Sequence, residues 1–172
     1  MANDLSGEAS LTSESNHVFS VLFVCHGNIC RSPTAEAVMR ARVVRAGLGE
    51  RLKIDSAGTS DCHAGEPPDR RAERVAGQRG YDLSSLRARQ VSEDDFKNFD
   101  LILAADQQNL DALMRRCPAA YRHKLALMLD VLPEGGEREV PDPYYGGPTG
   151  FDHVLDLLEQ ACDGWIERLK SK

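Results

Sequence analysis

Apolar residues along the chain fall into short unbroken runs that alternate with stretches of helical spacing. Val18 to Val24 is a nearly continuous apolar run, the pattern of a strand buried on both faces of a parallel sheet. From Pro33 the period changes: Ala35, Val38, Met39 and Ala46 predict a helix of about four turns, with Pro33 suited to its first turn and Gly47 and Gly49 to its end. Lys53 to Gly58 is a weaker strand, followed by a loop with Gly65, Pro67 and Pro68, and Asp69 to Gly80 reads as an exposed helix. Ser92 opens a short helix within Val91 to Phe99, because Ser-Glu-Asp-Asp places carboxylates in the first turn, where they favour the helix dipole. Asp100 to Ala105 predicts a central strand, and Gln107 to Arg116 a helix stopped near Pro118. Lys124 to Leu132 fits strand or helix by pattern and is assigned as a fourth strand. Pro133 to Gly150 is loop-like. From Phe151 to Leu169 apolar residues recur at helical spacing, so a long amphipathic helix follows. Strands alternating with helices predict an α/β fold with a parallel sheet and right-handed crossovers.

Length and composition narrow the class. At 172 residues with 41% hydrophobic content, the chain fits one domain over 18–172, preceded by a polar, non-periodic tail over 1–17 that reads as mobile. A net charge of -6 argues against a nucleic-acid partner. No apolar run approaches the roughly 18 to 20 residues of a membrane span, and the tail is too polar for a signal peptide, so a cytoplasmic protein without a membrane partner is expected. Five cysteines in a chain of this length predict reduced thiols, and any cysteine chemistry is then catalytic or redox.

The candidate chemistry gathers in Val21 to Arg40, where the first strand breaks off at Cys25 and a loop with Gly27 and Asn28 leads into a helix just after Ser32. Backbone N–H groups of such a loop converge, and the helix dipole adds partial positive charge, so the loop suits a dianion. Arg31 can grip two phosphate oxygens through its planar fork. The same field stabilises a thiolate at Cys25, helped by the Ser32 hydroxyl, so one loop supplies both nucleophile and phosphate cradle. Expelling a phenolate calls for a proton donor. Asp142, between Pro141 and Pro143, is the best candidate, and the adjacent Tyr144 and Tyr145 can wall a slot for an aromatic ring.

These stretches, Val-Cys-His-Gly-Asn-Ile-Cys-Arg-Ser-Pro-Thr-Ala-Glu from Val24, Asp-Ser-Ala-Gly-Thr at Asp55 to Thr59 and Asp-Pro-Tyr-Tyr at Asp142 to Tyr145, resemble the bacterial-type low-molecular-weight protein tyrosine phosphatases. The resemblance covers nearly everything after the tail, in the family's order. It implies a three-layer α/β/α fold with a four-stranded parallel sheet and a phosphate-binding loop after the first strand. It also implies a two-step reaction through a phosphocysteine, with no metal and no cofactor. Cys25 would be the nucleophile, Arg31 the phosphate clamp, and Asp142 first acid and then base. His26, Gly27, Asn28, Ile29, Cys30 and Ser32 would form the binding loop, Ser56 would support it, and Tyr144 and Tyr145 would face the substrate. Cys30 would form a reversible disulfide with Cys25 that protects the nucleophile from over-oxidation. Implied partners are tyrosine-phosphorylated proteins, a tyrosine kinase of the same bacterium among them, acted on by a monomer or weak dimer.

Two positions depart from the family's pattern. Cys62 stands where bacterial relatives often carry an aromatic wall, which leaves Tyr144, Tyr145 and His26 as the expected rim. Arg79 stands where relatives often carry a His that supports the phosphate loop from behind. The residues also bear on other functions. A zinc site from Cys25, His26, Cys30, Cys62 and His63 lacks paired C-x-x-C spacing. An arsenate reductase of the same fold relays oxidation through additional closely spaced cysteines, where this chain has Cys117. A protein-arginine phosphatase tends to carry Thr at the place of Ile29 and lacks the Tyr pair. A non-catalytic phosphotyrosine-binding module would have lost the nucleophile or the acid. Cys117 and Cys162 read as packing residues, and Asp106 as either a loop brace or a helix cap.

Overall fold

The computed structural model describes residues 18–144, 146 and 149–170. The tail assigned to 1–17 lies outside the described residues. Strand β1 (Phe19–Cys25) leads into α1 (Arg31–Arg45), then β2 (Leu52–Gly58), α2 (Arg70–Gln78), α3 (Glu93–Asn98), β3 (Leu101–Ala104), α4 (Gln107–Arg116), β4 (Leu125–Leu127) and α5 (Thr149–Lys170). The four strands form one sheet in the order β2-β1-β3-β4, with every neighbouring pair parallel. β1, with six apolar residues among its seven, is central and pairs with β2 on one side and β3 on the other.

Strand alternation divides the core into two clusters. Val21, Phe23 and Cys25 face the layer that holds Met39 of α1 and Leu155, Leu158 and Trp165 of α5. Leu22 and Val24 face the opposite layer with Phe96 of α3 and Leu113 of α4. Each fully buried Leu or Phe contributes about 1.5–3 kcal/mol relative to exposure, so β1 is fixed on both faces. That rigidity is what positions Cys25, its last residue.

Three element assignments change. The fourth strand spans only Leu125–Leu127, and a 3-10 turn over Met128–Val131 takes the rest of the apolar run. Asp130 accepts the Leu127 N–H at 2.9 Å, and the Trp165 indole N–H binds the Met128 carbonyl at 2.7 Å; both bonds favour a turn. α1 begins at Arg31, two residues before Pro33, which still sits within the first turn where its missing N–H costs nothing. α2 is not wholly exposed: Ala72, Val75 and Ala76 are buried, and Asp69 caps it by accepting the Arg71 N–H at 2.8 Å.

Candidate active site

The loop from His26 to Cys30 lies between the carboxyl end of β1 and the amino end of α1. The neighbouring strand confines it, since Thr59 N–H donates to the Cys25 carbonyl at 2.9 Å and Ser60 N–H to the His26 carbonyl at 3.0 Å. Gly58, in register with Cys25, permits this approach: a Cβ there would lie 2.7 Å from the His26 carbonyl oxygen and 3.2 Å from the Asn28 nitrogen. Asn28 turns the loop with φ at 58°, a left-handed conformation that Asn tolerates better than most residues.

The Asn28 side chain organises the loop from behind. Its Oδ1 accepts the Arg89 backbone N–H at 2.9 Å, which fixes the amide's orientation. Its Nδ2 donates to Ser32 Oγ at 2.7 Å and to Ser56 Oγ at 3.0 Å. Ser56 Oγ donates in turn to Glu36 Oε1 at 2.7 Å, so the bonds run outward from the Asn28 amide, through Ser56 to Glu36 on one side and to Ser32 on the other. Ser32 Oγ, already an acceptor, is left to donate, and Cys25 Sγ lies 3.0 Å away with the Ala57 carbonyl at 3.3 Å. The Ser32 N–H also points at Sγ, at 3.4 Å. Cys25 thus receives donors suited to a thiolate.

Arg31 is buried, and Nη1 uses both its hydrogens, on Asp106 Oδ2 at 2.7 Å and on the Val140 carbonyl at 2.9 Å. Nε and Nη2 remain as one edge of the fork, the geometry for two oxygens of a tetrahedral anion. Burial works against the guanidinium charge, but Cys25, Asp106 and Asp142 outweigh it and hold the Arg31 pKa above its ordinary value. Asp106 fills both roles read from sequence, because its Oδ1 caps α4 through the Asn109 N–H at 2.8 Å while Oδ2 braces Arg31. The Cys30 thiol is pushed well up by burial first and by Asp69 next, so it is held protonated.

These groups meet in a cleft of about 140 Å³. Cys25, Ile29, Cys30 and Arg31, all buried, form its floor, and the exposed His26 joins Gly27, Asp142, Tyr144, Cys62 and His63 around it. Asp142 Oδ2 lies 3.7 Å from Arg31 Nη2, and Oδ1 accepts the Tyr144 N–H at 3.0 Å. Asn28, Ser32 and Ser56 lie behind the floor, and Tyr145 is outside the described residues. Beside Cys62, His63 supplies a ring wall: it packs on Gly27, its ring centre is 6.2 Å from that of Tyr144, and its Nδ1 bonds Glu66 at 3.0 Å. Arg79 points away to α5, where it pairs with Asp152, Asp156 and Glu159. The support behind the loop comes instead from Glu36, held by Arg40 Nη2 at 2.6 Å. Cys117 caps the far end of α4, roughly 15 Å along that helix from Asp106 by the helical rise.

Sequence reasoning passed over Glu36 and Arg71 and read His63 only as a candidate zinc ligand. For Glu36 a signal exists, a carboxylate inside the apolar run Ala35 to Met39 and four residues before Arg40, the spacing of a helical ion pair. His63 and Arg71 act across segments and leave no local pattern.

The chain is similar to known proteins over most of its length. The family model for low molecular weight phosphotyrosine protein phosphatase matches residues 20–172. A Synechocystis protein assigned to the low molecular weight protein-tyrosine-phosphatases is 51% identical over 150 residues, 87% of this chain and 95% of its own. The low molecular weight protein-tyrosine-phosphatase of Streptomyces coelicolor is 45% identical over 157 residues, 90% of this chain and 95% of its own. The crystal structure of a protein tyrosine phosphatase from Entamoeba histolytica, with Hepes in its active site, superposes with a TM-score of 0.86 at 46% identity, covering 89% of this chain and 97% of that one.

Proposed function

The chain belongs to the low molecular weight phosphotyrosine protein phosphatase family, a protein-tyrosine-phosphatase by that kinship, and from this premise we propose that Cys25, Arg31 and Asp142 carry its reaction. The observation that bears most weight is the network that spreads from the Asn28 amide: anchored through Ser56 on Glu36, it donates to Ser32 Oγ and leaves that hydroxyl to donate to a Cys25 thiolate 3.0 Å away.

Cys25 thiolate attacks phosphorus, forming the S–P bond as the bond to the tyrosine oxygen breaks. The Asp142 carboxyl gives its proton to the departing phenolate. Arg31, with Nη1 anchored, presents Nε and Nη2 to the equatorial oxygens, where charge is held through the transition state. In the second step Asp142, now a carboxylate, takes a proton from water as that water attacks phosphorus. The S–P bond breaks, and the hydroxyl of Ser32 stabilises the returning thiolate. His63 and Tyr144 at the mouth and Ile29 in the floor suit an aromatic leaving group, with Tyr145 next in sequence. Hepes, a sulfonate, in the Entamoeba enzyme's active site supports an anion cradle here.

The reading extends to tyrosine-phosphorylated proteins as substrates, with a bacterial tyrosine kinase among them, and to Cys30 as the partner in a protective disulfide with Cys25. A reducing, cytoplasmic compartment is supported by the buried free thiols of Cys117 and Cys162. Among the described residues no helix is long and apolar enough to cross a membrane. The test is Cys25→Ser: release of phosphate from phosphotyrosine is abolished while competitive binding of inorganic phosphate persists. Retained turnover in that variant overturns the assignment.

A further inference from the structure

Arg71 lies outside the cleft floor, yet it touches the segment that carries Asp142 and is tied through Asp69 to the phosphate loop, and the separation of those two segments decides whether Asp142 can reach a leaving group. Asp69 donates its N–H to the Ile29 carbonyl of the phosphate loop at 2.8 Å. Its carboxylate takes Arg71 in a fork, Oδ1 from Nε at 3.1 Å and Oδ2 from Nη2 at 2.9 Å. The same Nη2 carries a second hydrogen, and it reaches the Tyr144 carbonyl at 3.0 Å. The guanidinium carbon also sits 5.4 Å from the Tyr144 ring centre and 4.8 Å from that of Phe151 at the start of α5. Tyr144 in turn gives its N–H to Asp142 Oδ1.

We propose that Arg71 is a positioning residue for leaving-group protonation: locked by Asp69 to the phosphate loop, it fixes the Tyr144 peptide and thereby aims the Asp142 carboxyl over Cys25. The inference rests on Asp142 being the acid. A lysine cannot reproduce the role, because one ammonium lacks the planar fork that serves Asp69 and Tyr144 together while stacking on two rings. Misplacing the acid without removing it slows the steps in which Asp142 moves a proton, and of these kcat/KM registers only leaving-group protonation, because the attack of water follows phosphoryl transfer.

The test compares kcat/KM on phosphotyrosine with kcat/KM on a nitro-substituted aryl phosphate whose phenolate departs without protonation. Arg71→Lys lowers the first about tenfold and the second by less than about threefold, and adding it to Asp142→Ala produces no further discrimination. Asp69→Asn, which keeps the shape and weakens the fork, shows the same pattern at smaller amplitude and stands in if Arg71→Lys does not fold. Equal losses on both substrates, or full additivity with Asp142→Ala, overturn the proposal. Discrimination by Asp142→Ala without any in Arg71→Lys or Asp69→Asn removes this inference alone. Absence of discrimination in Asp142→Ala itself removes the acid assignment, and the inference with it.

Discussion

Replacing Asn28 by Ala tests the loop's internal scaffold, because that one side chain makes three hydrogen bonds on a left-handed residue that is 3% exposed. The Arg89 N–H loses its acceptor, which costs about 1–3 kcal/mol for a group left unsatisfied in the interior. Ser32 and Ser56 each lose a donor but keep another partner, so each loss is about 0.5–1.5 kcal/mol. Holding alanine at φ near 58° adds about 1 kcal/mol. The expected destabilisation is therefore about 3–7 kcal/mol, large against a total stability of about 5–15 kcal/mol. Urea unfolding at neutral pH measures it. Asn28→Gly separates the causes: it loses the same bonds but relieves the backbone, and it is expected to be about 0.5–1 kcal/mol more stable than Asn28→Ala. A loss below about 1.5 kcal/mol for alanine, or a glycine variant weaker than alanine, refutes the account.

Two further outcomes follow from the same geometry. Gly58→Ala puts a Cβ against backbone atoms of His26 and Asn28, which cannot move aside as a side-chain tip would, so the loop must shift; kcat/KM is expected to fall about a hundredfold, and a change within threefold contradicts the packing argument. Burial raises the Asp69 pKa, but the Arg71 side-chain and backbone hydrogen bonds outweigh it and hold the group below its ordinary value. That stabilisation is present above the unfolded value of about 3.9 and fades as pH falls through the folded value, so urea midpoints of the parent and Asp69→Asn should differ at pH 7 and converge in acid; a constant gap refutes the linkage.

Much of this was legible in the sequence because it is local. β1 announces itself by an unbroken apolar run, and α4 matches its predicted span residue for residue. Cys25, Arg31 and Ser32 lie within eight residues of one another, so a strand, a loop and a helix start suffice to bring them together. What the pattern missed depends on partners distant in the chain. The apolar run after Lys124 turns after three strand residues because Asp130 and Trp165 claim its backbone groups. Arg79 follows three carboxylates on α5 that lie more than seventy residues away. The wall expected to be missing at Cys62 is supplied by its neighbour His63, since the loop's fit against Gly27 brings that ring to the cleft.

The brevity of β4 has a consequence for how the protein behaves at high concentration. As an edge of the sheet it offers three residues before the chain turns away, too few for a second copy to add a strand. The opposite edge, β2, is longer but carries Lys53 and Asp55, charges that a mispaired neighbour would have to bury. A parallel sheet assembled from distant segments is slow to form and exposed to aggregation while it does so. Truncating one edge and charging the other guards against self-association during that interval.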